Sequence, residues 1–169
     1  MLYKNQSRTN FTEDVKDLET LKTFVSPINR QIIDHGFRIT FGICETSGTH
    51  QTFLVNTVND DMNKKNLFSA TEMDLFRTIM EKVITSPRKR ISSIDGVNLT
   101  NKLVNSLSHS EGEKLIKDWS ERGYLVLDDG YVYLGIRCIV EFEPLFLSSW
   151  KEYVNMCNLC SKLILTVRI

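Results

Sequence analysis

Two cysteines near the end of the sequence have the spacing of a metal-binding pair. Cys157 and Cys160 stand in the run Cys-Asn-Leu-Cys, and two thiolates so spaced can reach one Zn²⁺ ion at about 2.3 Å. A structural zinc site needs four ligands, and His35, His50 and His109 all lie upstream with no spacing that completes the set. We therefore interpret Cys157 and Cys160 as the first half of a zinc site.

The same pair permits a redox interpretation, which stays open. A redox Cys-x-x-Cys motif usually lies in a βαβ unit, whereas this pair follows a segment with a helical pattern. Cys44 and Cys138 lie among apolar neighbours and are typical of small core residues. The sequence shows no nucleophile elbow or phosphate-binding loop, and Ser108-His109-Ser110 is better interpreted as a helix cap. We predict no catalytic residue.

The composition is that of an ordinary globular protein without a dominant charge. Of 169 residues, 41% are hydrophobic, and 21 acidic residues balance 21 basic ones. This balance gives no global reason to expect nucleic acid as the main partner, because nucleic-acid-binding domains are usually basic. No apolar run approaches the roughly 20 residues of a membrane helix, and no signal-peptide core is present. We expect an intracellular protein of one or two domains, with no membrane association.

The stretch 108–134 has the pattern of a helix followed by a β-hairpin. Ser108 and Glu111 form a capping box at the start of the helix, and Gly123 sits where a left-handed stop is needed. Two short β-rich runs follow, joined by Asp-Asp-Gly at 128–130, which is a hairpin signal. Helix, strand, turn and strand in this order are typical of the second half of a winged helix.

The residues before this stretch supply the rest of one winged helix. Ser69 and Glu72 form a second capping box, before a helix that stops at Pro87. The short apolar run 91–94 fits the first strand of such a domain, and 97–107 is predicted as its second helix with Leu99, Leu103, Val104 and Leu107 inward. After the hairpin, two further helical segments are predicted, the second beginning at Pro144.

A second, incomplete winged helix is predicted closer to the N-terminus. Residues 12–25 and 28–34 have helical patterns on either side of a proline, and Gly36 ends the second of them. Residues 37–44 and 52–58 are predicted as two paired strands. These elements correspond to the back half of a winged helix without its front half.

A winged helix is often a DNA reader, so the charges of its third helix matter. Between His109 and Arg122, four acidic side chains stand against three basic ones, and DNA phosphates would repel or ignore such a surface. We favour a packing module whose third helix faces protein. A winged-helix DNA-binding regulator is the alternative, and the basic loop Pro87–Arg90 keeps weak, sequence-independent DNA contact open.

The order of these features resembles one family. In chain order the matching segments are Thr71–Arg77, the helix and hairpin of 108–134, Gly135–Glu141 and Cys157–Cys160. Together they resemble the family of non-structural maintenance of chromosomes element one, the RING-bearing subunit of the five–six SMC complex. The resemblance covers about residues 12–165.

The resemblance implies tandem winged helices followed by a variant RING domain that binds zinc. It implies pairing with a MAGE-type subunit and other subunits of the SMC five–six complex, action in DNA repair and recombination in the nucleus, and RING-type E3 ubiquitin ligase activity with an E2 conjugating enzyme. Cys157 and Cys160 match the first two RING zinc ligands. The later ligands and the front of the first winged helix are not found, so we expect a chain truncated at both ends, without ligase activity alone.

We therefore predict an α+β fold, mostly α-helical, in three parts. Residues 1–66 form an incomplete first winged helix, 67–147 a second winged helix, and 148–169 a helix and the start of a truncated RING. The polar run 59–66 is the predicted linker between the first two parts. The sequence names no residue of the partner interface, which we expect to be apolar.

Overall fold

The structure, a computed structural model, describes residues 18–43, 49–57, 68–105, 107–158 and 162–165. Its helices are α1 (Leu18–Ile32), α2 (Ala70–Thr85), α3 (Ser93–Asn98), α4 (His109–Glu121), α5 (Ile136–Glu141) and α6 (Glu143–Ser149). Short 3-10 turns lie at Ile33–His35, Leu99–Lys102 and Lys151–Tyr153. Its strands are β1 (Phe37–Ile43), β2 (His50–Asn56), β3 (Ile91–Ser92), β4 (Leu125–Asp128), β5 (Tyr131–Leu134), β6 (Asn155–Met156) and β7 (Leu163–Ile164). This mixture confirms the predicted α+β class.

The elements from α2 to β5 have the order and pairing of a winged helix. Three helices alternate with a short strand and a hairpin, and β3 pairs with β5, so that the sheet order is β3-β5-β4. The register places Leu125 opposite Leu134 and Ile91 opposite Val132. The first unit of the chain, residues 18–57, contributes a separate two-stranded sheet, β1-β2. The C-terminal residues contribute a third sheet, β6-β7.

Both predicted capping boxes are present. At the start of α2, the Ser69 N–H donates to the Glu72 carboxylate at 2.6 Å, and the Glu72 N–H donates to Ser69 Oγ at 3.3 Å. Ser108 and Glu111 make the same exchange at the start of α4, at 2.8 and 3.2 Å. Hydrogen bonds from the Ser108 side chain and backbone hold the pKa of the Glu111 carboxyl below its ordinary value.

Glycines with a positive φ angle follow the helical elements at the positions where the sequence predicted those helices to end. Gly36 (φ 78°) ends the 3-10 turn after α1, and Gly123 (φ 80°) follows the end of α4. In the β4–β5 turn, Asp129 (φ 46°) and Gly130 (φ 75°) are both left-handed, as a type I′ turn requires. Within the described ranges, no helix is long and apolar enough to cross a membrane.

The segment before the first hairpin is one helix, not the two that the sequence predicted. α1 continues through Pro27, although proline lacks the N–H that would bond to the preceding turn. Packing holds the residues around the proline: Val25 is buried, and the Asn29 amide exchanges two hydrogen bonds with the backbone of Ile39, at 2.7 and 2.8 Å. The predicted helical residues 12–17 lie outside the described residues.

The second helix of the winged helix also differs from the prediction. α3 and the 3-10 turn after it replace the predicted helix 97–107. The helix begins earlier because Ser92 Oγ accepts a hydrogen bond from the Asp95 N–H at 3.0 Å. Leu103 is already extended, and Val104, predicted to point inward, is fully exposed. Apolar spacing continues past the last hydrogen-bonded turn, so the predicted end was wrong.

Smaller differences concern the ends of strands. β2 begins at His50 instead of Thr52, and β3 ends at Ser92 instead of Ile94. Pro144 lies in the first turn of α6, as predicted. Three predicted features lie outside the described residues: Cys44, Val58 and the linker 59–66. The boundary near residue 66 therefore stays a prediction.

Aromatic side chains dominate the core of the winged helix. Trp119 is fully buried, and its ring lies 5.0 Å from that of Phe76 and 6.1 Å from that of Phe68. Tyr124 and Phe142 join the cluster at 5.7 and 5.6 Å from Phe76. Phe68 stacks on Phe76 at 6.3 Å, and the other ring pairs meet edge-on or tilted, geometries that add to their burial energy. This packing offsets the cost of Trp119 Nε1, which has no hydrogen-bond partner among the described residues.

The first hairpin packs against both later parts of the chain. A Cβ atom at Gly42 would lie 2.5 Å from Ile136 Cγ1 and 3.3 Å from Val140 Cγ2, so β1 approaches α5 closely. Lys162 Nζ, just before β7, donates to the carbonyl of Phe41 at 3.0 Å. The β1-β2 hairpin is thereby placed beside α5 and the β6-β7 hairpin.

Candidate functional site

The first unit, residues 18–57, exposes an unusual share of large apolar side chains. Phe24 is 68% exposed and Leu54 is 55% exposed. Three more exposed apolar side chains belong to it: Ile33, Phe37 and Ile43. Only Val25 and Val55 are buried hydrophobic residues in the described part of this unit. An excess of exposed apolar surface of this kind marks a surface that binds another protein.

A groove of about 500 Å³ lies between α1 and β1 in this unit. Its apolar lining consists of Val25, Ile33, Ile39 and Phe41, and its cations are Lys22, Arg30 and Arg38. None of the described residues that line the groove is acidic. Lys22 pairs with Glu19 at 2.6 Å, but both side chains are exposed, and such a pair contributes little. The groove therefore combines an apolar floor with a basic rim.

The third helix of the winged helix, α4, offers little to DNA. Its C-terminal cation, Arg122, forms a salt bridge with Asp118 at 2.8 Å and lies 5.7 Å from the centre of the Phe68 ring. The remaining exposed charges on the helix are mixed in sign. A helix with this distribution lacks the basic surface that phosphate contact requires.

The basic loop Pro87–Arg90 is largely committed to the fold. The Arg90 guanidinium lies 3.8 Å from the centre of the Tyr131 ring and donates to Tyr133 Oη at 2.9 Å. That hydrogen bond is the main cause of a raised pKa at Arg90. Lys89 Nζ donates to the Ile84 carbonyl at 2.6 Å, and burial lowers the pKa of this amine. Two of the three cations in the loop thus support the hairpin and the end of α2.

A buried polar cluster joins the start of the β4-β5 hairpin to α5. Tyr124 Oη donates to the Glu141 carboxylate at 3.0 Å, and Arg137 Nε lies 3.5 Å from the same carboxylate. The Arg137 guanidinium also stacks on the Tyr124 ring, 4.5 Å from its centre. Burial, and next the negative charge of Glu141, raise the pKa of Tyr124 above its ordinary value. The cluster positions β4 relative to α5, the helix on which the first hairpin packs.

Cys157 lies in a hairpin that the sequence did not predict. β6 and β7 pair with Asn155 opposite Ile164, and the Cys157 N–H donates to the Lys162 carbonyl at 2.8 Å. The prediction placed the cysteine pair directly after a helix and missed the hairpin, because strands of two residues are too short for alternation to reveal. Cys160 lies outside the described residues.

The hairpin places Cys157 where a turn begins, and this residue is half-buried. Such a position is compatible with a thiolate ligand. Among the residues that the structure describes, no group of three or more His, Cys, Asp or Glu side chains could hold a metal ion. These residues therefore do not complete a tetrahedral zinc site, and zinc at Cys157 and Cys160 stays a prediction.

The helix order and the β3-β5-β4 sheet define a winged-helix protein with a second, smaller hairpin unit docked on it. No family profile matches the chain. The Xenopus laevis and Xenopus tropicalis proteins "Non-structural maintenance of chromosomes element 1 homolog" are 30% identical over 146 residues and 28% identical over 153 residues. These alignments cover 85% and 89% of this chain, and 54% and 57% of the relatives. The Homo sapiens homologue is 27% identical over 150 residues, 88% of this chain and 56% of its own.

A solved chain of the "Nse1-Nse3-Nse4 complex" has the same fold. It superimposes with a TM-score of 0.77 at 29% identity, covering 87% of this chain and 64% of that one. The chain is therefore a homologue of the non-structural maintenance of chromosomes element 1 proteins, and the resemblance drawn from its sequence is confirmed. It spans somewhat more than half the length of these curated relatives.

Proposed function

We propose that this protein is a subunit of the SMC five–six complex, acting in the nucleus in DNA repair and recombination. It binds a MAGE-type subunit and other subunits of that complex through surfaces of its winged-helix units, and its contact with DNA is weak or indirect. The observation that carries the proposal is the fold shared with a chain of the "Nse1-Nse3-Nse4 complex" over 87% of this chain. The exposed apolar side chains of the first unit support it, because an obligate subunit leaves such surface uncovered when alone.

Co-expression with the MAGE-type subunit tests this proposal. We expect the two chains to co-migrate in size-exclusion chromatography, and Phe24→Asp together with Leu54→Asp to reduce co-migration, because each places a charge in exposed apolar surface of the first unit. Ile94→Asp is the matched control, since Ile94 is 72% exposed but belongs to the winged helix. Separate elution of the two wild-type chains would contradict the proposal, and an equal loss in the control would contradict binding through the first unit in particular.

We further propose that Cys157 and Cys160 are zinc ligands at the start of a RING-type E3 ubiquitin ligase domain. A RING has no nucleophile and acts as a folded platform for a charged E2 enzyme, and zinc stabilises that platform when bound. Without zinc such a platform does not fold, and the described residues include no group of three or more possible metal ligands. We therefore expect no autoubiquitination when the purified chain is incubated with ubiquitin, E1, E2, ATP and zinc. Ubiquitin conjugates in that reaction, absent without the chain, would overturn the expectation.

A further inference from the structure

The groove between α1 and β1 combines apolar and basic side chains. Neither the fold nor the proposed zinc site at Cys157 and Cys160 requires that combination. We propose that the groove binds an acidic amphipathic helix of a partner protein, with carboxylates on the basic rim and apolar side chains on the floor. This inference rests on the proposed function, since it specifies the chemistry of a partner segment that the first unit receives.

The charge of the groove selects an acidic ligand. Arg30 and Arg38 are exposed and have no ion pair within the described part of the chain, and Lys22 has only the exposed pair with Glu19. Arginine matches a carboxylate with two parallel N–H donors, which makes these rim positions specific as well as attractive. Among the described lining residues there is no acidic side chain to repel an incoming carboxylate.

The floor of the groove selects a ligand that also carries apolar side chains. Val25 is buried there, Ile39 and Phe41 are half-buried, and Ile33 is 44% exposed. A volume of about 500 Å³ lies within the range of ligand-binding clefts. Nucleic acid would use the rim but little of the floor, because three of its four apolar side chains are aliphatic and the one aromatic ring on which a base could stack, Phe41, is half-buried. A protein segment that carries acidic and apolar side chains uses both.

The hydrogen bonding of β1 favours a helix over an added strand. The backbone N–H and carbonyl of Ile39 are both occupied by the Asn29 amide, and the carbonyl of Phe41 accepts from Lys162. A peptide strand therefore cannot pair along this edge without displacing those bonds. Binding through side chains remains open, which is the mode of an amphipathic helix in a groove.

A displayed library of random peptides, selected on the immobilised full chain, tests the inference. We expect the recovered peptides to combine Asp and Glu with apolar residues at i, i+3 and i+4 spacing. In fluorescence anisotropy, Arg30→Glu with Arg38→Glu should weaken their binding about tenfold or more, as loss of two charge-assisted contacts would. The matched control is Lys114→Glu with Lys117→Glu, an equal charge change on exposed positions of α4, which should leave the affinity unchanged.

Several outcomes would overturn the inference. These are recovery of basic or uncharged peptides, no recovery above background, an equal loss in the control variant, or a DNA duplex that binds as tightly and is lost in the same arginine variant. Circular dichroism checks the fold, and Arg30→Gln with Arg38→Gln replaces the first variant if it unfolds. Co-migration with the MAGE-type subunit together with failed selection would refute the groove but not the complex. The reverse pair of results would refute the complex but not the groove.

Discussion

Gly112 and Thr100 show how single residues set the spacing of the winged helix. A Cβ atom at Gly112 would lie 2.6 Å from Thr100 Cγ2. Thr100 is fully buried, and its hydroxyl donates to the Val97 carbonyl at 2.8 Å. Glycine in a helix interior is unfavourable by roughly 0.5–1 kcal/mol relative to alanine, so its place in α4 reflects this close approach.

Gly112→Ala should therefore destabilise the chain by about 1–3 kcal/mol, because overpacking against a buried methyl group outweighs the gain in helix propensity. Urea unfolding measures the change. Thr100→Ser removes the methyl group and keeps the hydroxyl, so the double variant should recover part of the loss. An unfolding free energy that rises in Gly112→Ala alone would show that the helices separate without cost.

Tyr124→Phe should remove the phenol that donates to Glu141 and destabilise the chain by about 1–2 kcal/mol at neutral pH. The loss should depend on pH. Because burial raises the pKa of Tyr124 when folded, the folded state keeps a proton that the unfolded chain releases near the ordinary value of 10.0. The difference between wild type and variant should thus be constant below pH 10 and shrink above it.

Urea unfolding of both chains from pH 7 to alkaline pH checks this dependence. A difference that stays the same, or grows, above pH 10 would refute the role given to the Tyr124 hydroxyl.

At the scale of elements, sequence prediction succeeded where the signal is local. The two capping boxes and the Asp129-Gly130 turn are present because the residues that form them are adjacent in the chain. α1 continues through Pro27 because the Asn29 side chain hydrogen-bonds to strand β1. No local sequence pattern shows this contact.

The β6-β7 hairpin and the groove were not predicted for related reasons. The hairpin strands are too short to show a pattern, and the groove is lined from two elements. One signal could have indicated the groove: Lys22, Ser26 and Arg30 recur at helical spacing on one face of α1, and Ile33 continues that spacing into the 3-10 turn. The partner of that face, Arg38 on β1, becomes apparent only when the strand is packed on the helix.

The β4–β5 turn permits a test that separates the effect of backbone conformation on stability from the effect of side-chain packing. Gly130→Ala should destabilise the chain by about 1–2 kcal/mol, because its φ of 75° is unfavourable for an L-residue while nothing lies within 4 Å of the added Cβ. Asp129→Asn should have little effect, since asparagine tolerates the left-handed region. Thermal unfolding of both variants measures this. Equal stability of Gly130→Ala and wild type would mean that the turn relaxes.

At the scale of the whole molecule, the described part of the first unit exposes five large apolar side chains and buries two, while the winged helix has an extensive core. The isolated chain should consequently self-associate, as measured by light scattering across a concentration series. Phe24→Ser with Leu54→Ser should lower the apparent mass. A monodisperse wild-type monomer in the absence of a partner would count against the proposed interface.

Removal of metal should leave the winged helix folded. Its core consists of apolar side chains such as Phe76, Trp119 and Phe146, none of which needs a metal ligand. We expect EDTA to shift the melting temperature by less than about 2 °C, which is no more than the effect of a 1 kcal/mol change in a chain of this size. Cys157→Ser with Cys160→Ser should behave alike. A drop of many degrees would show that zinc supports the whole chain.

The hydrogen bonds on the outer edge of β1 also limit the form that self-association can take. The Asn29 amide occupies the backbone N–H and carbonyl of Ile39, which a neighbouring strand would otherwise use, and Lys162 Nζ occupies the carbonyl of Phe41. Ribbons and fibrils grow by adding strands at both sides of a sheet. Because the outer edge of β1 is already hydrogen-bonded, two copies could pair only through β2, and such a pair would leave no free strand edge in this hairpin. Ordered strand addition would end at the pair, so larger aggregates of this chain should be amorphous rather than fibrous.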